Sequence, residues 1–253
     1  MSGPPPSARR PAGVPLVLAH RGARTVALEN TLEAFRVAIE QQADGVELDV
    51  HRTADDALVV HHDADAPDLG VLAEVPLDRI RARRPDIPTL VEVLDACAGS
   101  LVNVEIKNLP GDADYYETDR VAALVVEVLE RRRGRDEVLV SSFNLSTVNR
   151  VRALDPEART AFLVMLGIDP FDALALCADQ GHEALHPFSG LMMDDAAVAV
   201  MQRARALGLA VNVWTVNEVR EIERLASVGV DAIITDVPDV ARRVIGAASG
   251  RPP

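Results

Sequence analysis

The sequence predicts an α/β chain folded as a (β/α)8 TIM barrel with a short insertion in the second βα connection. Three observations predict it. Short apolar runs alternate with longer amphipathic stretches eight times within 253 residues. No interdomain linker or internal repeat interrupts that rhythm. Polar residues gather where the apolar runs end. Strand–helix pairs repeated without a break specify a parallel sheet, and eight of them in this length close into a barrel.

The elements follow in order. The first strand, 15–20 (PLVLAH), leads through Asn30-Thr31 into a helix at 31–42. The second, 45–50 (GVELDV), is followed by an irregular stretch, 52–87, in which ALVVHHD reads as an extra strand, and then by a helix at 88–98. Strands at 101–106, 137–143, 159–165, 183–188, 210–216 and 231–235 precede helices at 116–133, 146–154, 171–180, 194–207, 218–228 and 239–248. Gly134, Gly208 and Gly229 punctuate helix ends. The Pro- and Arg-containing start, 1–13, and the end, 248–253, read as tails, leaving one domain over 14–247.

Twenty-six basic against 39 acidic residues give a net charge of −13, which argues against a nucleic-acid or anionic-membrane surface. No segment reaches the roughly 18 consecutive apolar residues of a membrane span, and the N-terminal stretch lacks the apolar core of a signal peptide. Cys97 and Cys177 sit in apolar helix-like stretches and read as reduced core residues. The expectation is a cytoplasmic protein without stable membrane insertion.

In such barrels chemistry sits at the carboxyl ends of the strands. Side chains alternate across a strand, so Glu47 and Asp49 share one face while Val46, Leu48 and Val50 share the other; Glu105 and Lys107 pair likewise. Facing the axis, Glu47, Asp49 and Glu105 form a hard-oxygen set suited to Mg²⁺ or Ca²⁺, unless Arg21 and Lys107 simply neutralise them. Those two cations equally suit a phosphate diester, arginine as a planar fork and lysine as a point charge. His20 and one of the His61-His62 pair are candidate acid and base. His51 shares the Glu47/Asp49 face and is a possible ligand, but it opens the loop HRTADD, where a solvated residue is the expectation. His182 is expected at the surface, in a helix-to-strand turn, and His186 lies on the sixth strand.

HRG (20–22), ENTLEAF (29–35), ADGVELDV (43–50), LVVHHD (58–63) and VEIK (104–107), joined by IPTLVEVL, SSFN, VNVWTVN and IITDVPD further on, resemble the glycerophosphodiester phosphodiesterase family. The likeness runs in one order from about His20 to Asp239. It implies a (β/α)8 barrel that hydrolyses glycerophosphodiesters to sn-glycerol 3-phosphate and an alcohol, with one divalent cation. It implies catalytic roles for His20 and His62, metal ligation by Glu47, Asp49 and Glu105, phosphate contacts from Arg21 and Lys107, and a pocket wall at Trp214. Glu29 and Asn30 are expected to support Arg21 and the first helix. Two departures stand out: Leu28 replaces the proline that precedes ENT in the family, and the segment after HHD is short and lacks an Arg-Thr-Thr-like motif.

Two other functions fit the same residues. A phospholipase D acting on lysophospholipids or sphingolipids needs an exposed apolar rim, for which the insertion offers only LGVLAEV. A catalytically silent phosphodiester-binding protein predicts the loss of a histidine or a carboxylate, and none is missing.

Overall fold

Leu16–His20 forms β1, Gly45–Arg52 β2 and Leu58–Val60 β3; two short strands, Asp65–Ala66 (β4) and Gly70–Val71 (β5), make a small hairpin. There follow β6 (Leu101–Ile106), β7 (Glu137–Ser142), β8 (Thr160–Val164), β9 (Ala184–Pro187), β10 (Ala210–Val213) and β11 (Ala232–Thr235). In this computed structural model residues 13–193 and 195–248 are described. Parallel pairing runs β1-β2-β6-β7-β8-β9-β10-β11 and returns to β1, closing an eight-stranded barrel; β3 adds antiparallel to the end of β2. The tails expected at 1–13 and 248–253 lie outside the described residues, apart from Gly13 and Ala248.

The helices are α1 (Leu32–Glu40), α2 (Leu77–Arg83), α3 (Leu90–Ala96), α4 (Arg120–Arg131), α5 (Leu145–Leu154), α6 (Pro170–Gln180), α7 (Ala196–Leu207), α8 (Val219–Val228) and α9 (Pro238–Ala248). Their starts follow local chemistry. Thr31 accepts from the amide of Ala34, Asp169 accepts from Phe171 and Asp172 ahead of Pro170, and Thr89 forms a capping box with Glu92.

Alternation divides the strand residues as the sequence predicts. Val46, Leu48 and Val50 pack outward against Phe35, Ala38, Leu90 and Leu94. Inside the barrel, Leu18, Leu101, Leu139, Ala161, Ala184, Ala232 and Ile234 form an apolar floor. Each large side chain so buried contributes about 1.5–3 kcal/mol. The insertion carries its own small core of Val59, Ala66, Leu72, Val75, Ile80 and Ile87. LGVLAEV therefore serves that core: Leu72 and Val75 are buried and offer no rim to lipid.

His182 corrects an expectation. It does lie in the turn before β9, yet it is buried, with Nδ1 2.9 Å from Thr160 Oγ1. The Thr160 hydroxyl at the start of β8 gives the ring a buried polar partner, which a reading of the turn alone does not reveal.

Candidate active site

The carboxyl ends of β1, β2 and β6 put the charged residues together. His20 pairs in register with Glu47, and Asp49 with Glu105. Glu47, Asp49 and Glu105 each offer a carboxylate oxygen within 4.8 Å of the others, and all three are buried. Burial pushes the carboxyl of Glu47 well above its ordinary range, and repulsion from Asp49 and Glu105 adds to it. Glu105 is likewise raised, chiefly by burial. Burial also works against the Asp49 carboxylate, but Lys107 and Arg21 outweigh it and hold Asp49 at about 2.

The two cations thread between these acids. Lys107 Nζ is 2.8 Å from Glu105 Oε1 and 3.1 Å from Asp49 Oδ1. Arg21 Nε is 3.2 Å from Asp49 Oδ2, its Nη1 donates to Glu29 Oε1 at 3.0 Å, and its amide donates to Glu47 Oε2 at 3.1 Å. Arg21 is in the left-handed backbone region (φ 55°), a conformation that costs a non-glycine residue about 1 kcal/mol or more. That amide bond, and the carbonyl of Arg21 accepting from the amide of Asn30 at 3.0 Å, offset the cost. Gly22 completes the turn. A Cβ there would sit 2.7 Å from the backbone of Ala34, so the glycine of HRG lets the loop lie against α1.

The expectation for ENT is met and extended. Glu29 holds Arg21, Thr31 caps α1, and the side-chain amide of Asn30 donates to Asp49 Oδ2 at 2.8 Å. Asn30 thus orients an acid of the cluster as well as the loop.

Each candidate histidine is aimed by a carboxylate. His20 Nδ1 lies 2.7 Å from Asp236 Oδ1, with Nε2 3.9 Å from Glu47 Oε2. Asp236 is held in turn by Asn217, whose Nδ2 donates to Asp236 Oδ2 at 2.7 Å. His62 Nδ1 lies 2.7 Å from Asp63 Oδ1. Burial lowers the pKa of His62; the nearby cations Lys107 and Arg21 lower it further, against the pull of Asp49. A carboxylate on one ring nitrogen fixes an imidazole for proton transfer at the other. Strand alternation alone did not reveal the partners Asp236 and Asp63. Asp236 is 216 residues from His20, and only its place at the end of β11 marked it.

A cavity of about 520 Å³ opens beside the cluster, lined among others by His62, Glu105, Lys107, Leu109, Phe143 and Met165. His61 lies outside it, with its ring bonded to the carbonyl of Asp63 at 2.9 Å. Trp214 stands at the mouth of the barrel, edge-on to Phe143 and Phe188 at 5.3 and 5.5 Å, its indole N–H donating to the His186 carbonyl at 2.8 Å. His51 overturns its expected solvation. It is the seventh residue of β2, only 1% exposed, with Nδ1 2.5 Å from Asp114 Oδ2.

The donor set suits a hard divalent ion. All three carboxylates supply oxygen, and among the described residues Glu47 Oε1 is buried without a hydrogen-bond partner, a position that a cation would satisfy.

A closed parallel barrel with carboxylate-aimed imidazoles around buried acids and cations at its carboxyl mouth defines a phosphate-ester hydrolase class of site. Residues 20–240 match the glycerophosphoryl diester phosphodiesterase family, and the chain belongs to that family of phosphoric diester hydrolases. A glycerophosphodiester phosphodiesterase of Caldanaerobacter subterraneus is 30% identical over 246 residues, covering 88% of this chain and 95% of the relative. The crystal structure of a putative glycerophosphoryl diester phosphodiesterase from Silicibacter pomeroyi has a TM-score of 0.81 at 28% identity, with 96% of each chain covered. An Oleispira antarctica phosphodiesterase, solved in complex with the product sn-glycerol-3-phosphate, has a TM-score of 0.78 at 26% identity, covering 92% of this chain and 97% of that one.

Proposed function

We propose that the protein hydrolyses glycerophosphodiesters to sn-glycerol 3-phosphate and an alcohol, using one divalent cation, Mg²⁺ or Ca²⁺, and two histidines. Membership of the family supports the reaction, as does a product complex in a relative of the same fold. The observation that carries the residue roles is the pairing of two carboxylate-aimed imidazoles with a buried cluster of three acids and two cations.

Glu47, Asp49 and Glu105 hold the cation, which when bound supplies Lewis-acid polarisation of the phosphate. Arg21 and Lys107 grip the phosphate oxygens and stabilise charge as it gathers there. One of His20 and His62 takes a proton from the attacking oxygen, either water or the neighbouring glycerol hydroxyl. That oxygen bonds to phosphorus as the P–O bond to the alcohol breaks, and the other histidine gives a proton to the leaving alkoxide. Where the glycerol hydroxyl attacks, water then opens the resulting cyclic phosphate to sn-glycerol 3-phosphate. Trp214 is assigned to the pocket wall through Phe143, which lines the cavity and against which its ring packs edge-on. The catalytic domain is taken as 14–247. No described helix is long and apolar enough to cross a membrane, and a cytoplasmic setting is supported by two buried, unpaired cysteines.

One observation favours a second substrate class. Leu109, Met165, Leu166 and Ile168, in the connections after β6 and β8, are exposed large apolar side chains, and two of them line the pocket. Such a rim suits the acyl chain of a lysophospholipid, in the manner of a phospholipase D. The silent-binding alternative has no comparable support, since all eight site residues are present.

Alcohol release from glycerophosphocholine, glycerophosphoethanolamine, glycerophosphoglycerol and a lysophosphatidylcholine tests both readings. The main one expects fastest turnover on a water-soluble diester. A clear preference for the lysolipid moves the assignment to the second, and no turnover of any member contradicts both.

A further inference from the structure

One buried polar pair at the mouth has no part in this chemistry. His51 faces inward two positions beyond Asp49, its Nδ1 on Asp114 and its Nε2 3.2 Å from the carbonyl oxygen of His62. Asp114 belongs to the connection between β6 and α4, which starts at Lys107 and supplies Asn108, Leu109 and Asp112 to the cavity wall. A single imidazole therefore touches the strand of Glu47 and Asp49, the turn of His62 and the wall of the pocket. The next residue, Arg52, grips the same connection, its guanidinium carbon 4.8 Å from the centre of the Tyr116 ring. Asn108 gathers the connection internally, donating to the Tyr116 carbonyl and to Asp119, and accepting from the Tyr116 amide.

This is costly packing. Both partners are buried and lose hydration, and among the described residues Asp114 Oδ1 has no hydrogen-bond partner. Apolar residues of similar volume commonly pack such a place at no loss of stability. What apolar residues lack is direction. The ring lies between two oxygen acceptors in different segments, and with an N–H on each nitrogen it bonds both and fixes their separation.

We propose that His51 and Asp114 form a positioning couple for His62. Asp114 sets the His51 ring, and the ring holds the His62 carbonyl and with it the turn from which the His62 side chain reaches the phosphodiester. His51 borders the cavity but is only 1% exposed, with both ring nitrogens turned to protein oxygens, so it works through His62 and not on the substrate. The proposal rests on the reading of His62 as a proton carrier.

The test is steady-state kinetics on glycerophosphocholine as a double-variant cycle, with thermal melting of each protein. His51→Phe removes both bonds and keeps a ring; Asp114→Ala frees the ring while leaving it in place, and runs the same cycle should His51→Phe not fold. Each is expected to lower kcat about 10- to 100-fold, the scale of an ångström-sized misplacement, with KM within about threefold. Asp114→Asn, which keeps an acceptor for the ring, is expected to recover most of kcat. In a His62→Ala background the same changes are expected to cost nothing more, because the group they position is gone. A full further loss in that background, or a KM effect at unchanged kcat, overturns the couple. Wild-type turnover in His62→Ala alone overturns the assignment of His62, a different failure with a different signature.

Discussion

His62 and His61 are consecutive, and their surroundings separate them. The His62 ring has its Nδ1 on Asp63 and borders the cavity that Lys107 and Glu105 share, whereas the His61 ring turns back to the carbonyl of Asp63. Burial beside two cations favours the neutral form of His62, the form that accepts a proton. His62→Ala is therefore expected to lower turnover of glycerophosphocholine about 100-fold or more, the scale of a lost general acid or base, with His61→Ala near wild type. Equal losses would mean that the turn presents its side chains the other way. Much of this was legible at the residue scale: period-two alternation separates Glu47 and Asp49 from Val46, Leu48 and Val50, and the structure keeps that separation. Partners distant in sequence were not legible. His51 begins what reads as a polar loop, and its burial depends on Asp114, 63 residues on, in a connection without a periodic signal.

At the scale of elements, β2 and β6 carry all three carboxylates and lie side by side from Gly45 opposite Leu101 to Val50 opposite Ile106. Gly45 sets how closely they start. A Cβ at that position would stand 2.1 Å from the Leu101 carbonyl oxygen, contact with backbone that no rotamer relieves. Gly45→Ala is expected to destabilise the fold by about 2–3 kcal/mol, read as a lower urea midpoint; a midpoint unchanged from wild type would show the strands free to part there. The eight strand–helix pairs were legible because burial on both faces leaves near-continuous apolar runs, and the helix stops at Gly208 and Gly229 are where both residues adopt positive φ. The insertion was legible only as an extra strand. Its short hairpin and α2 are held by a local core of six buried side chains, too few and too irregularly spaced to stamp a period on the sequence.

Taken whole, the barrel has an apolar floor, a polar middle and a charged mouth. His186 belongs to the middle, fully buried with Nε2 2.8 Å from the side-chain Nδ2 of Asn212, and burial drives its pKa down to about 3. Above about pH 6.5 neither the folded nor the unfolded chain protonates this ring. Below it the unfolded chain takes up a proton that the folded barrel refuses, so stability falls with pH. Between about pH 6.5 and pH 5 this one group costs about 2 kcal/mol, which His186→Asn is expected to remove from the pH dependence of urea unfolding; identical pH slopes in the two proteins would contradict it. The charged mouth is the centre of the account, and three buried acids converging with an unpartnered Glu47 oxygen point to a cation. The most direct test is turnover of glycerophosphocholine by protein carried through excess chelator, then resupplied with Mg²⁺ or Ca²⁺. Activity is expected to disappear on stripping and return with the ion, whereas full turnover by protein shown to contain no metal would contradict the account.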